Sequence, residues 1–188
     1  MIECLPVSLC SWNYVVRGDG HTAQVDFNWT SEQGAITIGG TRLEVRKHGF
    51  ASGRWTAELG GEVLAEAHKP SSMSRSFNVQ SFTGRSPAGP LLLEADSAFS
   101  NRFGLHAGGA RIATLRTKHV MTRRALIERH AVGSAASNSA AGDGAAVDMA
   151  AGDGVAVDEA IGEPDFATLC FCFWLAALTW KRASERSN

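Results

Sequence analysis

Residues 166–180 read FATLCFCFWLAALTW and are followed at once by Lys181 and Arg182. Placed on a helix, Phe166, Phe171, Phe173, Trp174, Leu175, Leu178 and Trp180 cover every side rather than one stripe. A helix that is apolar all round must be enclosed, by protein or by lipid. Pro164 and Asp165 suit its start, because proline is tolerated in the first turn and a carboxylate complements the positive end. Lys181 and Arg182 complement the carbonyl end. The fifteen residues span about 22 Å as a helix, short of the roughly 30 Å hydrocarbon core that takes about 20 apolar residues. That length matches the bore of a sheet whose strands run six or seven residues at roughly 3.3 Å each. The run predicts a helix buried in protein.

The cover is written upstream. From residue 22 to 107 apolar and polar residues alternate: Ala23, Val25, Phe27 and Trp29 on one face, then Leu43 and Val45, Trp55, Ala57 and Leu59, Phe77 and Val79, and Phe103, Leu105 and Ala107. Period-two patterning marks strands with one face to the core and one to water. Gly39-Gly40, Gly60-Gly61, Pro87-Ala88-Gly89-Pro90 and Gly108-Gly109 punctuate them, as successive hairpins of an antiparallel sheet or barrel require.

An internal repeat runs through this region. At an offset of 48 residues Trp55 falls on Phe103, Gly60-Gly61 on Gly108-Gly109, Leu64-Ala65 on Ile112-Ala113, Met73 on Met121, Arg75 on Arg123 and Val79 on Ile127. Two copies are too few for a solenoid, which needs at least three units. They predict two similar hairpin-plus-strand units facing one another in one closed sheet.

The chain divides into strands over residues 1–129, a linker over 130–163, and the helix with a polar tail over 164–188. In the linker AAGDGAAVDM (140–149) is followed directly by AAGDGVAVDE (150–159). A segment so rich in Ala, Gly, Ser and Asp buries too little to fold alone and predicts a flexible, acidic connection. Its carboxylates stand five apart, which fits no calcium loop. Over the whole chain of 188 residues the net charge is −1, with 20% charged and 44% hydrophobic residues. That balance suits a soluble globular domain and gives no basic excess for nucleic acid.

Of the cysteines, Cys4 and Cys10 stand near the start and Cys170 and Cys172 in the apolar run, without a C-x-x-C pair. They predict small buried thiols in a reducing compartment. Residues 1–10 have no basic stretch and include Glu3 and Pro6, unlike a secretory signal. The expected location is cytoplasmic.

The stretch W-x-x-x-L-G-G-x-x-L-A-x-A-x-K (residues 55–69), its second copy and the hydrophobic C-terminal helix resemble the tubby C-terminal-like superfamily, which takes in tubby domains, LURP-one-related proteins and scramblase-like proteins. The resemblance spans residues 22–129 and 164–182, and the long linker is a departure from the family pattern. It implies a mainly β fold: a closed antiparallel β-barrel around a central hydrophobic C-terminal helix.

Chemistry is sparse. His21, His48, His68, His106, His119 and His130 are scattered without metal-ligand spacing, and no nucleophile elbow or P-loop occurs. No catalytic residue, metal or cofactor is therefore assigned. One cluster stands out: Arg111, Arg116, Lys118, His119, Arg123, Arg124 and Arg129, opposed by Glu128. The resemblance implies that such a basic surface holds an anionic phospholipid headgroup or membrane surface. Arg111, Arg116, Lys118, Arg123 and Arg124 are the candidate ligands, arginine being suited to bidentate phosphate contact. A charged strand edge that deters pairing explains the same residues without a ligand. Alternation sends Arg123 and Arg124 to opposite faces if both lie in a strand. The leading expectation is a non-enzymatic, lipid-binding barrel. The alternatives are a tail-anchored protein with a cytoplasmic β domain and, last, a small-molecule enzyme using the barrel mouth.

Overall fold

The computed structural model describes residues 1–8, 11–28, 30–49, 52–71, 73–81, 89–97, 100–118, 123–130 and 164–186. Cys10, Trp29, His119, Met121, the turn at Pro87-Ala88 and the duplicated segment of the linker lie outside them.

Twelve strands form one antiparallel sheet in chain order: β1 (Ile2–Pro6), β2 (Tyr14–Gly18), β3 (His21–Phe27), β4 (Gly34–Ile38), β5 (Thr41–Lys47), β6 (Arg54–Leu59), β7 (Glu62–His68), β8 (Ser76–Ser81), β9 (Leu91–Ala95), β10 (Arg102–Ala107), β11 (Ala110–Thr117) and β12 (Ala125–Arg129). β1 pairs with β12 through Ile2↔Ile127 and Cys4↔Ala125, which closes the sheet into a barrel. Closure removes the unpaired edges that an open sheet would expose.

The hairpins close as the glycine pairs predict. Gly39-Gly40, Gly60-Gly61 and Gly108-Gly109 all have positive φ, between 54° and 92°. Two successive left-handed residues make the turn whose twist matches its flanking strands. Asp19-Gly20, at φ 53° and 75°, closes β2–β3 in the same way.

The offset of 48 residues carries β6, β7 and β8 onto β10, β11 and β12. It also carries the register shift at Ala57/Glu58 onto the one at Leu105/His106. Each shift places an extra residue in the second strand of its hairpin, which bends the wall locally.

A barrel of about eight strands is filled by its own side chains, and a wider one needs other filling. Here many inward positions are small: Ala23, Ala57, Ala65, Ala67, Ala113 and Ala125 are all buried. The bore they leave holds α1 (Phe166–Glu185). Its aromatic residues meet the wall on several sides. Phe173 packs edge-on against Tyr14 of β2 at 5.0 Å, Trp174 stacks on Phe27 of β3 at 4.8 Å, and Trp180 meets Phe103 of β10 at 6.1 Å. The Thr168 hydroxyl donates to Ser81 Oγ of β8 at 3.1 Å. The helix is thus the core, with Leu169 through Leu178 buried.

Asp165 is the N-cap, accepting from the Thr168 amide at 2.6 Å, so Pro164 precedes the helix and does not open it. At the other end the helix outruns its apolar stretch and continues to Glu185, for 20 residues in all. The extension is held by side chains: Lys181 pairs with Glu185 one turn on at 3.3 Å, and Arg182 reaches Glu32. No described helix is long and apolar enough to cross a membrane.

Cys4, Cys170 and Cys172 are free and buried. Burial, then the neighbouring Cys170 charge, pushes the Cys4 thiol up, and burial pushes Cys172 up to about 12. Thiols held this far from thiolate are inert packing groups.

Candidate anion-binding rim

In an up-and-down barrel the connections alternate between ends. The tight turns and the N-terminus of α1 share one end, as the 5.3 Å contact between His21 and Phe166 shows. The connections β1–β2, β3–β4, β5–β6, β7–β8, β9–β10 and β11–β12 belong to the other end, where α1 emerges.

That second rim is basic. Its connections supply Lys69, Arg75, Lys118, Arg123 and Arg124, and the helix and its C-cap supply Lys181, Arg182 and Arg186, against Glu32, Asp96 and Glu185. Several of the cations sit over aromatic rings that seal this end of the core. Lys47 and Arg182 flank Trp55 at 5.8 and 5.5 Å, Lys69 lies over Phe77 at 5.9 Å, Arg75 over Phe103 at 5.6 Å and Arg123 over Trp12 at 4.5 Å. A cation over a ring face gains from the ring's negative centre while its stem covers apolar surface.

Glu32 fastens the helix to the wall. Its carboxylate takes Lys47 Nζ at 2.5 Å and Arg182 Nε at 2.5 Å. Burial raises its pKa, but the hydrogen bonds from Lys47 and Arg182 outweigh that, and the carboxyl titrates below the ordinary glutamate value. A depressed folded-state pKa adds stability above the unfolded value, near 4.3, and that stability is lost as pH falls through the folded value. Glu32→Gln should therefore lose about 1 kcal/mol at pH 7. Urea midpoints of the variant and the parent should converge as the pH drops below the carboxylate range.

The five candidate residues do not form one patch. Arg111 stands near the tight-turn end and pairs with Asp96, which also meets Arg102 at 3.4 Å. The side chains of Arg111 and His106 cross over Gly104, where a Cβ would lie 2.5 and 2.6 Å from them. Arg116, on the outer face, is bound to Glu128 at 2.7 Å, and that hydrogen bond holds Glu128 below its ordinary pKa. Lys118 and Arg124 lie on the basic rim and are exposed. Arg123 does not alternate with Arg124 in a strand. It precedes β12 with φ 51°, turned onto Trp12, and donates to the Ser11 carbonyl at 3.4 Å. Arg129 pairs with Asp19 at 3.1 Å.

Arg75, Lys69 and Arg186 belong to the rim and stand outside the basic run. The repeat was the available signal, because Arg75 and Arg123 are equivalent at the 48-residue offset and each covers an aromatic ring. Burial first, then the charges of Arg182, Arg186 and Arg75, holds Lys69 below the usual lysine pKa, with Glu32 pulling the other way.

The nearest approach to a catalytic constellation is on the outer wall. His48 Nε2 lies 2.7 Å from Thr56 Oγ1, which donates to Glu58 Oε1 at 2.6 Å. Thr56 is fully buried and its proton is committed to Glu58, so this arrangement fixes the β5–β6 wall and presents no nucleophile. Among the described residues no group of three or more His, Cys, Asp or Glu side chains is placed to hold a metal ion. No protein-family model, curated protein or solved structure matches the chain.

Proposed function

We propose that the chain is a non-enzymatic, tubby-like barrel that binds anionic phospholipid headgroups at the basic rim where the helix C-terminus emerges. The observation that supports this most directly is the cationic crowding there. Burial first, then the nearby Arg182, Arg186 and Arg75 charges, holds Lys69 low, and an anion set among these cations offsets their mutual repulsion. Lys118, Arg124 and Arg186 stand exposed on the same rim. Phosphate, with several acceptor oxygens, is the group that arginine and lysine hold best. Membrane association follows from the headgroup contact, with the helix remaining in the barrel.

The test is cosedimentation with phosphatidylcholine vesicles, with and without phosphatidylserine. Binding should require the anionic lipid. Lys118→Ala with Arg124→Ala should weaken it roughly 30-fold, at ~1 kcal/mol per basic residue near the surface. Arg111→Ala, already neutralised by Asp96, should leave it unchanged. Equal binding to neutral vesicles, or an unaffected double variant, sinks the proposal.

A further inference from the structure

Beside the C-terminal end of α1 lies a cleft of about 260 Å³, whose lining includes Trp12, Tyr14, Arg123 and Trp180. Two of its lining side chains hold polar atoms with no partner. Tyr14 is 0% exposed and Trp180 6% exposed, yet neither the Tyr14 hydroxyl nor the Trp180 indole N–H makes a hydrogen bond. Leaving a buried donor unpaired is costly, so such groups call for an explanation. Two in one cleft, beside a guanidinium, point to a common acceptor.

The chemistry of the lining narrows that acceptor. An indole N–H only donates, a guanidinium only donates, and a phenol donates readily. Arg123 is the cation of the cleft. One positive charge and two neutral donors match a monoanion with two acceptor oxygens. The Trp12, Tyr14 and Trp180 rings offer an apolar surface for the rest of the molecule. Arg123 is also held in the left-handed region at φ 51°, a conformation that non-glycine residues keep where surroundings impose it.

We infer that this cleft is a binding site for a small organic carboxylate with an apolar body, its carboxylate received by the Tyr14 hydroxyl, the Trp180 indole N–H and the Arg123 guanidinium. The inference is independent of headgroup binding at Lys118 and Arg124, whose side chains do not line the cleft. Alkyl and aryl acids share the required chemistry, and hexanoate and phenylacetate represent the two.

The experiment titrates each acid into the ¹⁵N-labelled full chain and follows the indole N–H resonance of Trp180, identified by its loss in Trp180→Phe. A saturable shift with Kd below about 1 mM is expected for at least one acid. Its methyl ester should bind at least tenfold more weakly. Tyr14→Phe, which keeps the ring and removes the hydroxyl, should weaken binding about tenfold. Arg123→Asn, chosen because asparagine tolerates the left-handed region, should weaken it at least as much. Anionic-vesicle binding should be untouched by Tyr14→Phe, and carboxylate binding untouched by Lys118→Ala with Arg124→Ala. No saturable shift with either acid, an ester that binds as well as its acid, or full affinity in Tyr14→Phe overturns the assignment.

Discussion

Removal of residues 164–188 should leave a chain that does not reach a soluble folded state. The loss is not that of a peripheral helix, because Leu169 through Leu178 are the centre around which all twelve strands close. Without them Tyr14, Phe27, Phe77 and Phe103 face an empty bore. A cavity of that size is not tolerated in a close-packed interior. Exposed aromatic faces on unclosed strands then drive association. The expected outcome is material in the pellet, or a soluble fraction with no cooperative melt. A soluble, cooperatively melting remainder would mean that the helix is dispensable to the barrel. Trp174→Ala is the finer version. It removes the ring stacked on Phe27 at 4.8 Å, along with an N–H aimed at the Asp26 carbonyl at 3.4 Å. A cost of about 3–5 kcal/mol is expected, a large part of a typical domain's 5–15 kcal/mol. Chemical denaturation of variant and parent measures it.

Gly34→Ala should be nearly as severe although it adds one methyl. A Cβ at Gly34 would lie 2.0 Å from the Asp26 carbonyl oxygen and 2.9 Å from Trp174 Nε1. The first contact is with the backbone of the paired strand, so no rotamer change relieves it. Relief requires β3 and β4 to part where Phe27 pairs with Gly34, and the Trp174 indole leans on that same place. The expected loss is about 3 kcal/mol. Gly20→Ala is the useful comparison, because there no atom lies within 4 Å and only the positive φ of 75° opposes the side chain. That change should lose about 1 kcal/mol. Equal losses at the two positions would show that conformation, not the close approach, governs Gly34.

The fold was largely legible because its signals are local and redundant. Alternation placed the inward faces of β3, β5, β8 and β10 and the start of β6, where the register shift after Ala57 leaves Leu59 exposed instead of inward, and the glycine pairs placed three turns. The all-round apolar run named its own core. β1 and β2 were harder to see. Only Ile2, Cys4, Tyr14 and Val16 mark their buried positions, and strands of five residues give little periodicity. Asp19-Gly20 was a readable hairpin signal between β2 and β3. The helix end was misplaced by five residues because Lys181 and Arg182 look like a terminus, while their partners Glu185 and Glu32 keep the helix going. The candidate site was legible only in outline. A run of cations in sequence does not reveal its carboxylates: Glu128 was visible nearby, whereas Asp96 and Asp19 come from the β9–β10 connection and the β2–β3 turn and neutralise Arg111 and Arg129. Nor does sequence order show which cations share an end of the barrel. That depends on the alternation of connections, which gathers Lys69, Arg75, Arg123 and Arg186 from three separate places.

The position of the helix after all twelve strands in the chain has a bearing on biosynthesis. The β1–β12 seam joins residue 2 to residue 127, so the wall is complete in sequence before its filling has left the ribosome. At 5–20 residues per second, residues 130–185 take roughly 3–11 s to follow. During that interval the nascent strands carry their aromatic faces with no partner. Their joining is slow in any case, because the seam spans nearly the whole wall in sequence. The barrel is therefore expected to close only once residues 166–185 have emerged, and holdase chaperones that shield apolar strands should raise its yield more than a slower rate of synthesis does.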